Sequence, residues 1–311
     1  MKRNLLIALF LIWASSLFAL EQPKFSTAGF YELPNTGREV YSMNLAWRFY
    51  KGDVVGTPFA TGFDDSGWEV ISIPHGLEYL PIEASGCANY QGVAWYRKRF
   101  TLDSRLKGKQ LFIHFEAIMG KSEVYVNGKL LKKQYGGYLP VILDVTNELD
   151  WDGENVIAVK ADNSDDPSYP VGKPQNLLDF TYFGGIYRDC WLVAHNKVFI
   201  TNANYENEVA GGGLFVSFAD VSEKSAIVNL KAHVRNLSEK NERVTVTFNL
   251  KNKSGEVVKQ VFKKVSVRKG KAGYAVASIG IDSPSLWSPE TPYLYNLDVT
   301  VPTDAGTVVD G

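Results

Sequence analysis

The sequence predicts an all-β protein built as two successive sandwiches. Nearly every regular segment after residue 40 has period two or is a short β-branched run, and no stretch of a dozen residues sustains a 3.6 period. Gly, Asp and Pro punctuate these segments at roughly ten-residue spacing, the mark of a sandwich rather than of a parallel sheet with crossover helices. The 311 residues suffice for two cores of ordinary size. With 45% hydrophobic and 22% charged residues, the composition excludes a disordered chain and a membrane bundle. A net charge of -1 supplies no field to draw the chain to nucleic acid or anionic lipid.

Residues 1–19 read as a signal peptide. Lys2 and Arg3 form the basic start, 5–14 the apolar run, and Ala19 the small residue at the cut. The folded part is therefore expected to be periplasmic or secreted, with no membrane association after cleavage.

The first unit spans 20–197. Leu111, Ile113 and Phe115 alternate with Phe112, His114 and Glu116, and Val124 and Val126 alternate with Glu123, Tyr125 and Asn127. Both central residues of a type I′ turn need positive φ, so Asn127-Gly128 predicts a hairpin joining 122–126 to 129–133. Asp152-Gly153 turns the chain before a strand at 155–161, and 190–194 reads as another strand. Trp47, Trp68, Trp95, Trp151 and Trp191 all lie in this unit.

The second unit spans 198–311. Val228, Leu230, Ala232 and Val234 alternate with polar neighbours, as do Val244, Val246, Phe248 and Leu250. A turn at Ser254-Gly255 leads to a strand at 257–262. This spacing fits an immunoglobulin-like sandwich without its disulfide. Tyr293, Tyr295, Leu297, Val299 and Val301 predict one long strand, and 307–311 a shorter returning one that leaves an unpaired edge. The chain therefore reads as one cut short.

Chemistry is harder to place. The visible carboxylate pairs are Asp64-Asp65, Asp165-Asp166 and Glu206 with Glu208, and neighbours on a turn ordinarily diverge into water. Residues 162–166 could offer oxygen ligands to calcium but lack the spacing of an EF-hand loop. His75, His114, His195 and His233 stand singly, without CxxC or HExxH, and no GxSxG occurs; no cofactor or metal is expected. Cys87 and Cys190 read as independent thiols, with a bridge as the alternative. The most concentrated segment is Asp179-Phe180-Thr181-Tyr182-Phe183-Gly184-Gly185-Ile186-Tyr187-Arg188-Asp189. A carboxylate accepts hydroxyl hydrogen bonds while a ring covers the apolar face of a pyranose, so this segment is a candidate sugar contact. The competing reading is a structural corner.

Several motifs in order resemble the non-catalytic front of family 2 glycoside hydrolases, the group of β-galactosidases, β-glucuronidases and β-mannosidases. They are Phe63-Asp64-Asp65-Ser66-Gly67-Trp68 with Ile73-Pro74-His75, Ala94-Trp95-Tyr96-Arg97-Lys98-Arg99-Phe100, Val124-Tyr125-Val126-Asn127-Gly128, Gly184 to Asp189, and Leu286-Trp287-Ser288-Pro289 with Pro292-Tyr293-Leu294-Tyr295. The resemblance implies a jelly-roll, galactose-binding-like domain, then an immunoglobulin-like domain, with a catalytic (β/α)₈ barrel next as the partner in the same chain. It implies that both catalytic glutamates lie on that barrel, so none is assigned here. Asp179 matches the aspartate that reaches the barrel mouth to bind the sugar, and Asn89 is a second substrate-binding candidate. The expected whole is an exported, retaining, β-galactosidase-like exo-β-glycosidase acting on carbohydrate, and the 311 residues alone are expected to be inactive. The alternative is a stand-alone carbohydrate-binding or adhesion module. Assembly as a homo-oligomer is left open.

Overall fold

A computed structural model of the chain describes residues 35–78, 89–169, 172–180, 183–302 and 308–311. Residues 1–19, read from the sequence as a signal peptide, and Cys87 lie outside the described residues. Cys190 is a buried thiol.

Ten strands form the first sandwich. They are β1 (Glu39–Ser42), β2 (Trp47–Lys51), β3 (Glu69–Ile71), β4 (Val93–Phe100), β5 (Gln110–Phe115), β6 (Lys121–Val126), β7 (Lys129–Tyr135), β8 (Val141–Asp144), β9 (Asn155–Asp162) and β10 (Cys190–His195). One sheet has the order β3-β2-β4-β9-β6-β7 and the other β1-β10-β5-β8. All the pairings are antiparallel. This is the jelly roll. Trp47, Tyr96, Leu111, Ile113, Phe115, Ile157 and Leu192 fill the space between the sheets. The long edge strand β7 is largely exposed and carries Lys129, Lys132 and Lys133, which keep its free edge from pairing with another chain.

The hairpin forms where the alternation places it, with Asn127 at φ 48° and Gly128 at φ 84°. Asn127 does more than turn. Its Nδ2 donates to Glu148 O and Asn155 Oδ1, both at 2.8 Å, and its Oδ1 accepts from Val156 N at 2.8 Å. Asn127→Gly keeps the backbone conformation and deletes these bonds. It is expected to lower the unfolding free energy by about 1–3 kcal/mol at unchanged m-value in urea; a loss below about 0.5 kcal/mol would show that the amide contributes only the turn.

The four-stranded sheet is buried on both faces. Cys190, Leu192 and Ala194 of β10 face the first core, while Trp191 and Val193 join Val40, Phe112, Ile142 and Phe199 in a second cluster. That cluster lies against the start of the second sandwich, which explains why β10 reads as a continuous apolar run.

The chain passes into the second sandwich between His195 and Val198. Its strands are β11 (Val198–Ile200), β12 (Leu214–Ala219), β13 (Ser225–Asn236), β14 (Glu242–Lys251), β15 (Val257–Val267), β16 (Lys271–Asp282), β17 (Asn296–Pro302) and β18 (Val308–Asp310), with a four-residue helix, Ala203–Glu206. β13 pairs with β16 on one side and with β11 and then β12 on the other. The facing sheet runs β15-β14-β17-β18. Leu230, Val234, Val246, Phe248, Ile279 and Val301 form the core of this immunoglobulin-like sandwich. The last long strand begins at Asn296, not Tyr293. Tyr293 and Tyr295 instead accept hydrogen bonds at their hydroxyls from Lys253 N (3.1 Å) and Ser285 N (3.0 Å), so their alternation serves loop closure. Among the described residues no helix is long and apolar enough to cross a membrane.

Candidate functional site

The Gly-Gly corner is set by crowding. A Cβ on Gly184 would come within 2.6 Å of Asn163 Nδ2 and one on Gly185 within 2.9 Å of His75 O, and Gly185 has φ +92°. Only glycine fits both positions. The corner is then stitched in place by His75 N donating to Ile186 O (2.8 Å), Met119 N to Gly185 O (3.0 Å) and Leu77 N to Gly184 O (3.3 Å). His75 Nδ1 lies 3.0 Å from the Tyr96 hydroxyl, and burial lowers the pKa of its ring.

The two readings of the Asp179 to Asp189 segment divide it between them. Its second half is structural. Ile186 is fully buried, Tyr187 donates its hydroxyl to Gly137 O (2.5 Å), and Asp189 Oδ1 accepts from Asn44 Nδ2 (2.7 Å). Asn44 Oδ1 in turn accepts from Cys190 N at 2.9 Å. The described residues at its start face outward. Leu178 is buried, but Asp179, Phe180 and Phe183 are exposed, with Asp179 on a bend outside any strand. An exposed carboxylate followed along the chain by two exposed rings faces solvent, where a ligand can reach it.

Asn89 is half-buried and precedes β4. Tyr90 N donates to Glu78 Oε2 (2.8 Å), and Lys51 Nζ to Glu78 Oε1 (2.8 Å). Buried Asn163 ties this loop to the corner: its Nδ2 donates to Tyr90 O (2.8 Å), its Oδ1 accepts from Gly92 N (2.9 Å), and it abuts Gly184. Gln175 Nε2 donates to Asn163 O at 2.5 Å. The sequence reading missed Asn163, Gln175 and Glu78 as organisers of this rim. The only signal was the polar density at 162–166, weighed there as oxygen ligands.

The structure uses that density for turns. Asp162 Oδ1 accepts from Ser164 N and Oγ (2.9 and 2.6 Å), Asp166 Oδ1 from Ser168 N and Oγ (2.9 and 2.5 Å), and Asp165 Oδ1 from Gln175 N (3.0 Å). Lys121 sits 2.7 Å from Asp166 and, with the Ser168 bonds, holds that carboxyl down to about 2.

The other acidic pairs are committed elsewhere. Asp64 caps a turn through Ser66 N (2.9 Å), as a solvated turn residue should. Asp65 does not diverge into water: it is 6% exposed and bound to Arg97 Nε at 2.7 Å. Its partner lies a full motif away, so one residue of each of the first two family-like motifs exists to hold the other. Glu206, Glu208 and His233 lie within 4.8 Å of one another, but Arg235 grips Glu206 through both Nε and NH2, Tyr274 donates to Glu208, and His233 Nδ1 lies 2.9 Å from Thr201 Oγ1. The Tyr274 hydrogen bond lowers the Glu208 pKa, the opposite of what a general acid needs.

Comparison with known proteins identifies the family. Residues 62–196 match the sugar binding domain of glycosyl hydrolases family 2, and residues 214–311 match a second domain model of glycosyl hydrolases family 2. The chain is 33% identical over 268 residues to a β-galactosidase of Bacteroides ovatus, covering 84% of this chain and 29% of that one. It is 29% identical over 290 residues to a β-glucuronidase of Formosa agariphila, covering 89% of this chain and 29% of that protein. The crystal structure of a Bacteroides uniformis β-glucuronidase superposes with a TM-score of 0.77 at 29% identity, over 88% of this chain and 31% of that one. The chain thus spans less than a third of the length of these relatives. Both domains match in the family's order, over a fold shared with its solved members: this chain belongs to glycosyl hydrolase family 2, of which it carries the sugar-binding and immunoglobulin-like domains.

Proposed function

We propose that the chain is the N-terminal, non-catalytic part of an exported, retaining exo-β-glycosidase of β-galactosidase type. In this reading Asp179 contacts the sugar, while a downstream barrel supplies both glutamates and forms the covalent glycosyl-enzyme. The observation that carries it is the exposed Asp179, followed along the chain by exposed Phe180 and Phe183, ahead of the crowded glycine corner. Asp179 moves no proton here. Its carboxylate accepts hydroxyl hydrogen bonds and fixes the ring, a contribution of orientation. Asn89, on the neighbouring loop, is the second proposed contact. The basic and apolar start of the sequence supports export.

The test is Asp179→Ala in the complete protein, assayed on nitrophenyl β-galactoside and β-glucuronide. Loss of charged hydrogen bonds to substrate is expected to lower kcat/KM about 100-fold, with Tm unchanged. The 311-residue chain alone is expected to turn over neither glycoside. An active Asp179→Ala enzyme, or turnover by the short chain, would overturn the reading, and calorimetric sugar binding by the short chain with no enzyme downstream would replace it with a binding module.

A further inference from the structure

Asn163 follows β9 directly, and the last residue of β9, Asp162, is paired with Val93 of β4 on one side and Lys121 of β6 on the other. The backbone that carries Asn163 is therefore held by two strands. Its side chain is 1% exposed. Burying an amide costs free energy that only its hydrogen bonds offset, and an apolar residue would serve a core better. What this amide holds is therefore informative.

Asn163 fastens three stretches that are remote in sequence. The first is the loop after Asn89, where Nδ2 donates to Tyr90 O (2.8 Å), Oδ1 accepts from Gly92 N (2.9 Å) and the backbone N donates to Gly92 O (3.3 Å). The second is the approach to Asp179. Asn163 O accepts from Gln175 Nε2 (2.5 Å), and two residues on, Asp165 Oδ1 accepts from Gln175 N (3.0 Å). Gln175 opens a single 3-10 turn, Gln175–Leu177, which Leu178 N closes by donating to Gln175 O (3.1 Å). Asp179 comes next. The third is the departure from Asp179, because a Cβ on Gly184 would meet Asn163 Nδ2 at 2.6 Å. One residue thus holds the chain before Asp179, after Asp179 and beside Asn89. The common property of these stretches is that each adjoins a proposed sugar contact.

We propose that Asn163 is a positioning residue of the sugar site: without touching substrate, it sets the spacing between the Asp179 carboxylate and the Asn89 amide by fastening both their loops to one point. This rests on the reading of Asp179 and Asn89 as substrate contacts. Two contacts on separate loops act together in full only when their separation is set before the sugar arrives. Gln175 serves the Asp179 side alone.

The test is a mutant cycle in the complete enzyme on nitrophenyl glycosides, with kcat and KM separated and folding followed by circular dichroism. Asn163→Ala is expected to lower kcat/KM about 30-fold, with a raised KM that a mere loss of folded enzyme would not produce. In an Asp179→Ala/Asn89→Ala background the same change should cost less than about 2-fold, since nothing is left to position. Gln175→Met keeps the shape and removes the bond to Asn163 O. It should cost about 5-fold in the parent and nothing once Asp179 is alanine, and it carries the test if Asn163→Ala does not fold. An equal loss in every background, no loss from either variant in folded enzyme, or failure of both variants to fold would overturn the proposal. A fully active Asp179→Ala enzyme sinks the functional reading and this inference with it. An impaired Asp179→Ala enzyme in which the Asn163 loss multiplies unchanged sinks this inference alone.

Discussion

Asp65→Ala is expected to cost about 3–5 kcal/mol of stability, the scale for leaving a buried charge without its partner. Arg97 on β4 is fully buried, its Nε bound to Asp65 Oδ2 at 2.7 Å and its NH1 to Pro58 O. Arg99 adds a longer contact, NH2 at 3.5 Å from Asp65 Oδ1. Deleting the carboxylate strands the guanidinium in the protein interior. Water cannot reach it without opening the 58–68 loop. Asp65→Asn keeps the shape and one acceptor and should lose less. Arg97→Met combined with Asp65→Ala should recover much of the loss, because the desolvated charge goes too. Urea unfolding of the single and double variants checks this. A loss below about 1 kcal/mol for Asp65→Ala would mean that Arg97 finds other partners.

The second large effect is expected at Asp310, where the two sandwiches meet. Its side chain is fully buried and accepts from Arg38 Nε (3.1 Å) and NH2 (2.8 Å) and from Ile200 N (2.7 Å), with His195 Nδ1 at 3.4 Å. Asp310→Ala strands the Ile200 N–H and leaves the partly buried Arg38 guanidinium with its bond to Ile200 O (3.0 Å) in place of a carboxylate, a loss of about 3 kcal/mol. Burial alone pushes this carboxyl up, but Arg38 and His195 outweigh it, so folding holds its pKa below the ordinary value. A carboxyl lowered by folding contributes stability above its unfolded pKa of about 4 and loses it as pH falls through the lower folded value. The gap in Tm between the parent and Asp310→Ala should therefore be full at pH 6 and above and shrink below about pH 4. A gap constant across that range would show that the charge is not what Asp310 contributes.

Much of this was legible in the sequence because the signal was local. Asn127-Gly128 gave the hairpin, and the alternation at Val228 to Val234 and Val244 to Leu250 gave the second core. The glycine pair at the corner was also visible, though its reason, crowding by Asn163 and His75, was not. What stayed hidden depends on partners remote in sequence. Asp65 looks like any turn aspartate until Arg97 is brought to it, and Asp310 looks like a terminal residue until Arg38 and Ile200 close over it. Tyr293 and Tyr295 misled because alternation shows which side a residue faces, not whether the backbone there is paired. Asp179 was expected on an exposed loop and lies on an exposed bend, while Asn163 and Gln175, which shape the rim from within, carry no motif of their own.

The sheet buried on both faces has a consequence for how such proteins can be built. Severed after His195, the jelly roll would present Phe112, Ile142, Trp191 and Val193 to water as one contiguous sticky plate, an aggregation hazard. Neither sandwich is then a free-standing module to be shuffled by recombination. The smallest cassette that could be transplanted into another architecture is the tandem, and gene fusions that split it should be rare among soluble products.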